Sequence, residues 1–365
     1  MRILVISTNP VLKDGITNVI FNLIREIDKN DIVFDLLTQR SEVDSLIEEF
    51  RSYGGEVYFL PRSMKKVVQY VNNLKKIIKV NKYDIVHIHG NSHTVVLELL
   101  AARLAGCKVR IVHAHNTMCN DLKMHKALTG IFNKLCTKRL ACGVEAGKFM
   151  HGNNNFTVIN NGIDVERFSY DEASRERVRQ RYNFSENTVI GHIGIFNKAK
   201  NQDFLVDVMS ELLKEDKSYK LILIGDGERR QEVEQKVKDT GLCDSIIFAG
   251  LTDDVPGYLS ACDLFVLPSF YEGLPLVLVE AQANGLYCIV SDCVTTEADK
   301  TGNMSFLPLE AGAKTWAGEI LKNKNCSDRK DVCEMAAENI KQKGYSATDE
   351  AKKLAEIYKN SIKGE

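Results

Sequence analysis

Leu264-Phe-Val-Leu-Pro-Ser-Phe-Tyr-Glu-Gly-Leu-Pro-Leu-Val-Leu-Val-Glu-Ala-Gln-Ala-Asn-Gly285 reads as a buried strand, a loop and a helix in succession. The apolar run Leu264 to Leu267 is short enough for a strand covered on both faces. Pro275 suits the first turn of a helix and Gly285 its C′ position, so a helix of about ten residues is bounded at both ends. Glu272 then lies in the loop before the helix, beside free N–H groups that could also receive an anionic phosphate. Glu280 falls inside the helix, flanked by Val277, Leu278 and Ala281. A carboxylate in that setting needs a partner. From spacing alone, a helix-start glutamate and an unrelated surface glutamate remain an alternative.

The same strand-to-helix alternation extends outward in both directions, which is the pattern of parallel sheets covered by helices. Towards the N-terminus, candidate strands are Val189 to Gly194, Leu221 to Ile224 and Ile246 to Phe248; Cys288 to Ser291 follows the opening stretch. The helix after the first of these carries Phe204, Leu205, Val208, Met209, Leu212 and Leu213 as one apolar stripe. An earlier series has strands at Ile3 to Ser7, Ile32 to Leu37, Val57 to Leu60, Ile85 to His89, Val109 to His113 and Thr157 to Ile159, with helices such as Thr17 to Ile27 and Val95 to Leu104. Residues 165 to 187 are polar and weakly periodic and mark the junction. We therefore expect two Rossmann-like α/β domains, residues 1–168 and 169–345, with the last helix (about 346–365) packing back on the first. Ligands of such sheets bind beyond the carboxyl ends of the strands, and two sheets facing each other would make a cleft.

Composition supports a globular chain of two domains. It has 365 residues, 44% hydrophobic and 27% charged, and no apolar run long enough to span a bilayer. The N-terminus shows no cleavable export signal, so a cytoplasmic location is expected. Ten cysteines without framework spacing or a Cys-x-x-Cys pair suggest free thiols rather than disulfides or a zinc site. Cys262 and Cys288 lie in apolar stretches and read as core. The net charge of −1 conceals a basic N-terminal part and an acidic remainder. The densest basic segment, Arg62 to Lys82, contains no acidic residue and places Val67, Val68, Val71, Leu74, Ile77 and Ile78 at helical spacing. Contact with an anionic membrane surface is one reading; an ordinary solvated helix is the other.

The Glu272 to Glu280 stretch resembles the Glu-x7-Glu segment of the retaining, GT-B-fold glycosyltransferases of family 4. Further stretches extend the resemblance over nearly the whole chain: Asp84-Ile-Val-His-Ile-His-Gly90, His113-Ala-His-Asn-Thr117, Val158-Ile-Asn-Asn-Gly-Ile-Asp164, Lys200-Asn201, Leu223-Ile-Gly-Asp-Gly227 and Phe248-Ala-Gly250. The branch that builds bacterial capsules and exopolysaccharides is the most similar. The resemblance implies that Glu280 holds the ribose hydroxyls, that Glu272 with the backbone of Gly273 and Leu274 holds the donor sugar, and that Lys200 neutralises the departing diphosphate. It also implies that Gly15, beside Asp14 where the family has paired glycines, lets backbone approach the donor. His115 resembles the family histidine near the transferred sugar, whereas His87, His89 and His113 read equally well as structural. Asn161 and Gly162 fit a turn at the domain boundary.

One departure concerns Ile195, which stands where the family usually has an arginine on the diphosphate. An isoleucine cannot clamp a phosphate, although Lys198 in the same loop could reach in. The resemblance implies transfer of a hexose from a nucleoside diphosphate sugar, with UDP as the expected nucleotide, to a glycan acceptor attached to a polyprenyl diphosphate, with retention. A catalytically impaired nucleotide-sugar-binding relative is the alternative that Ile195 raises. There is no Asp-x-Asp pair, so metal-independent chemistry and no cofactor are expected. No Gly-x-Gly-x-x-Gly or Walker lysine motif is present, which argues against a dinucleotide oxidoreductase or an NTPase. Nothing in the chain points to nucleic acid. A two-domain solute-binding protein would look alike in coarse pattern but needs an export signal.

Overall fold

The structure, a computed structural model of the chain, describes residues 1–12, 15–41, 43–323 and 329–363. It divides into two units, residues 1–162 with 344–365 and residues 163–343. Each is built on one wholly parallel sheet.

In the first unit the strands are β1 (Arg2–Ser7), β2 (Val33–Thr38), β3 (Val57–Phe59), β4 (Ile85–His89), β5 (Val109–Ala114), β6 (Lys138–Ala141) and β7 (Thr157–Val158). Their order is β3-β2-β1-β4-β5-β6-β7, so the direction of winding reverses between β1 and β4. β6 was not expected, because Lys138 and Arg139 hide a strand whose inner half, Leu140 and Ala141, is fully buried. One face of the sheet packs Leu74, Ile78, Leu99 and Phe132 into a single core with Leu4, Val86 and Val112. The basic segment forms a helix, Val67–Asn81, that turns Tyr70, Val71, Leu74 and Ile78 into this core. The C-terminal helix Ala347–Lys363 belongs to this unit, where it packs on the helix Gly15–Glu26.

The second unit has β8 (Thr188–Ile193), β9 (Tyr219–Ile224), β10 (Ile246–Gly250), β11 (Leu264–Leu267), β12 (Tyr287–Ser291) and β13 (Met304–Leu307). The order is β10-β9-β8-β11-β12-β13, with the reversal between β8 and β11. The helix Gln202–Glu215 buries Leu205, Val208, Met209 and Leu212 as its stripe requires, and Val206 besides. Trp316, fully buried, closes that core and donates its indole N–H to the Pro308 carbonyl at 3.1 Å. The polar stretch read as a junction belongs to this unit and contains the helix Glu172–Tyr182, capped by the Asp171 side chain. Weak periodicity hid it, since polar contacts hold it down: Arg175 and Arg179 each reach Asp263, at 2.6 and 2.5 Å.

Candidate active site

In an open parallel sheet the crevice for a ligand opens where the winding reverses, beyond the strand ends. In the second unit that point lies between β8 and β11, which pair directly through Ile190 with Leu264 and Gly191 with Phe265. The loop after β8 delivers Lys200 and the loop after β11 delivers Glu272. The two side chains meet in an ion pair of 2.6 Å, each about 15% exposed. Ser269 donates a further hydrogen bond to the same Glu272 oxygen at 2.8 Å.

Both loops are tied down. Asn201 takes a left-handed conformation (φ 55°) and donates its amide to the Pro268 carbonyl at 3.1 Å. The Phe270 N–H donates to the Ala199 carbonyl at 2.8 Å, bridging one loop to the other. Gly194 leaves room for the lysine stem, because a Cβ there would stand 3.1 Å from Cδ and Cε of Lys200. Glycines also bring the loop after β9 close: a Cβ on Gly225, whose φ is +136°, would lie 2.1 Å from the Gly194 carbonyl oxygen. The result is a preorganised cation–anion pair at the rim of the sheet.

Pro275 stands as N-cap of the helix Leu276–Ala283, and Gly285 is left-handed (φ +76°) just past its end. Gly273 is exposed with open space where a Cβ would be, and Leu274 is half-buried. Glu280 lies in the second turn, partly exposed, and its carboxyl has no hydrogen-bond partner among the described residues. Desolvation pushes its pKa up to about 7, opposed by the positive charge of Arg167. A carboxyl in that state can accept from two vicinal hydroxyls or donate one proton to a ligand acceptor. Ile195 is half-exposed. Its carbonyl accepts from Gln202 at 3.1 Å, so this position contributes backbone and an apolar surface only. Lys198 is exposed and forms no ion pair among the described residues.

In the first unit, Gly15 opens the helix Gly15–Glu26 and is exposed, with nothing within 4 Å of a Cβ there. Asp14 lies outside the described residues. His115 follows β5; its N–H donates to Asn91 Oδ1 at 2.9 Å and its Nε2 meets His89 Nδ1 at 2.8 Å. Its Nδ1 is buried without a hydrogen-bond partner, and burial lowers its pKa to about 4. Neither ring nitrogen is therefore offered outward in this conformation. Gly162 has a structural reason to be glycine, since a Cβ would meet the Ala347 nitrogen at 2.6 Å. Cys262 and Cys288 are fully buried, as expected, and the nine described cysteines are all free.

Two features escaped the sequence reading. Ser269 carries no motif beyond its place three residues before Glu272. The histidines of β4 and β5, weighed singly, in fact adjoin: the strands pair with His89 opposite His113. The signal was present in the two His-x-His steps, but only strand register reveals that they share a face.

Comparison with known proteins bears on the family and the fold. The family profile described as Glycosyltransferase Family 4 matches residues 13–167, and that described as Glycosyl transferases group 1 matches residues 187–322. EpsF of Bacillus subtilis (strain 168), which carries a glycosyltransferase name, is 33% identical over 95% of this chain and 93% of its own. An Escherichia coli galactosyltransferase named for UDP-Gal and α-D-GlcNAc-diphosphoundecaprenol is 32% identical over 64% of this chain and 63% of its own. Among solved structures, Anabaena HepE in complex with UDP-glucose superposes with a TM-score of 0.78 at 17% identity, covering 99% of this chain and 100% of that one. The lipopolysaccharide glycosyltransferase WaaG gives 0.70 at 16%, covering 97% and 99%. Those last likenesses show the fold. The chain belongs to the family 4 glycosyltransferases of GT-B architecture. It is accordingly a glycosyl-transferring enzyme, with two Rossmann-like units each built on a parallel sheet.

Proposed function

We propose that this enzyme transfers a hexose from a UDP-sugar to a growing, lipid-linked glycan in polysaccharide synthesis, with retention of anomeric configuration and without a metal ion. The observation that carries the reading is the Lys200–Glu272 pair at the β8/β11 reversal. An ammonium held there can stabilise the charge that develops on a departing diphosphate, the largest kind of catalytic contribution. As the diphosphate approaches, Lys200 is shared with or drawn from Glu272, freeing that carboxylate to accept from sugar hydroxyls. Glu280, in the helix that follows that loop, is the acceptor for the ribose. The diphosphate oxygen itself takes the acceptor proton, so no side-chain base is required, and His115 would have to rotate to touch the sugar. Lys198 supplies the second positive charge where Ile195 cannot.

UDP is favoured as donor nucleotide by the E. coli relative's name and by HepE, solved with UDP and UDP-glucose. The lipid-linked acceptor is favoured by the diphosphoundecaprenol in that relative's name. A second reading, a nucleotide-sugar binder of impaired turnover, rests on the half-exposed Ile195. Incubation with a panel of UDP- and GDP-sugars separates the two. Slow release of free UDP from one UDP-sugar, in metal-free buffer, is the expected outcome; tight binding with no release over hours supports the impaired reading instead, and preference for a GDP-sugar sinks the choice of donor.

A further inference from the structure

Four histidines pile up on one face of the first sheet, at the carboxyl ends of β4 and β5. His87 and His89 stand two apart on β4, His113 lies in register with His89, and His115 follows. Ring centroids are 4.3 Å apart for His87 and His89, 5.1 Å for His89 and His113, and 4.4 Å for His113 and His115. His87 and His113 are 1% and 0% exposed.

The nitrogens of this cluster are only half satisfied. Nδ1 of His87 meets the Tyr358 hydroxyl at 2.6 Å, and Nδ1 of His89 meets His115 Nε2 at 2.8 Å. Nε2 of His87 and both nitrogens of His113 are buried without a hydrogen bond of good geometry, although the Ile159 backbone lies near enough to His113 to favour its protonated form. Each such group costs about 1 to 3 kcal/mol if it stays empty-handed, so three in one place call for an occupant. Burial holds these rings neutral: His87 is lowered to about 3, and His89 and His113 fall well below the ordinary histidine value, helped by mutual repulsion. Neutral imidazole is the form that ligates metals.

We propose that His87, His89 and His113 form a binding site for one late first-row divalent cation of the zinc type. One ligand atom from each lies within 4.8 Å of the other two. A tetrahedral zinc site with bonds near 2.0 to 2.1 Å spaces its nitrogens about 3.3 Å apart, so the rings, of which His87 and His113 lie 3° from parallel, must turn out of their stack to converge on one ion. The rings are already anchored as ligating histidines usually are, with the opposite nitrogen of His87 on Tyr358 and that of His89 on His115. An all-imidazole set suits zinc, cobalt, nickel or copper and disfavours magnesium or calcium. The ion is structural: it ties β4 to β5 and, through Tyr358, to the C-terminal helix, and it takes no part in neutralising the diphosphate.

The test uses the full chain, free of any affinity tag and stripped by a chelator, titrated with cobalt and then zinc. The expected result is about one cobalt per chain with the visible absorption of a tetrahedral nitrogen site, displacement by zinc, and a rise in Tm with either ion. His113→Gln abolishes both the band and the rise, while His125→Gln, which changes a buried histidine on the helix Leu122–Leu135, leaves both. A wild-type protein that retains no cobalt after desalting overturns the proposal, as does a band that survives in His113→Gln. Should that variant fail to fold, His87→Gln takes its place, and the wild-type titration decides on its own. None of these readouts depends on the sugar donor.

Discussion

Glu280 carries its carboxyl at a pKa of about 7 because the helix Leu276–Ala283 desolvates it. The folded state binds that proton more tightly than the unfolded chain, whose carboxyl keeps an ordinary value near 4.5. Stability contributed by the neutral form is therefore full in acid and is lost as pH rises through the folded value. Glu280→Gln removes this penalty, so at pH 8 the variant unfolds at higher denaturant than wild type, by on the order of 1 to 3 kcal/mol, and at pH 4 the difference vanishes. Unfolding curves at both pH values check it; a pH-independent difference would show that the carboxyl is not desolvated. The same variant should bind UDP more weakly if Glu280 accepts from the ribose. Lys200→Met addresses the neighbouring group: it removes the cation beside Glu272 and should lower kcat by about 10² to 10³ with little change in fold. Steady-state release of UDP measures this, and a variant of unchanged kcat would remove Lys200 from the diphosphate.

At the scale of elements, the opening stretch shows what local chemistry settles. Pro275 and Gly285 bracket the helix because one cannot donate an N–H and the other alone tolerates φ +76° cheaply. Gly285→Ala should cost about 2 kcal/mol and several degrees of Tm, since the strained backbone is joined by a Cβ 3.0 Å from Cys333 Sγ and 3.1 Å from the Arg329 carbonyl. A differential scan tests it, and an unshifted Tm would mean the helix end relaxes freely. The strands with apolar runs were legible for a similar reason: buried on both faces, they need no alternation. β6 and the helix Glu172–Tyr182 were not legible, because Lys138 and Arg139 open the first and the second is held by arginine contacts to Asp263 rather than an apolar stripe.

At the scale of the molecule, the basic helix Val67–Asn81 has its apolar face committed to the core, and Arg62 turns inward to Glu98 at 3.3 Å. What remains outside is Lys65, Lys66, Lys76, Lys79 and Lys82 with Val68 and Val80. Among the described residues no helix is long and apolar enough to cross a membrane. If the proposed lipid-linked acceptor is the substrate, these exposed lysines are the groups that would meet an anionic surface, at about 1 kcal/mol per lysine. Co-sedimentation with anionic vesicles at low salt, lost at high salt and absent with neutral vesicles, is the expected behaviour; indifference to anionic vesicles at low salt removes the membrane from the proposal.

By itself the sequence determined two parallel α/β units, because strand burial and helix-end chemistry are local and leave a linear signature, and it singled out Lys200, Glu272 and Glu280 through the family resemblance. Tertiary structure alone decided that Lys200 and Glu272 touch, since 72 positions of chain separate them and only the pairing of β8 with β11 brings their loops together. It alone decided, too, that four histidines read one at a time form a single cluster, because the register between β4 and β5 is set by hydrogen bonds that no spacing within either strand encodes.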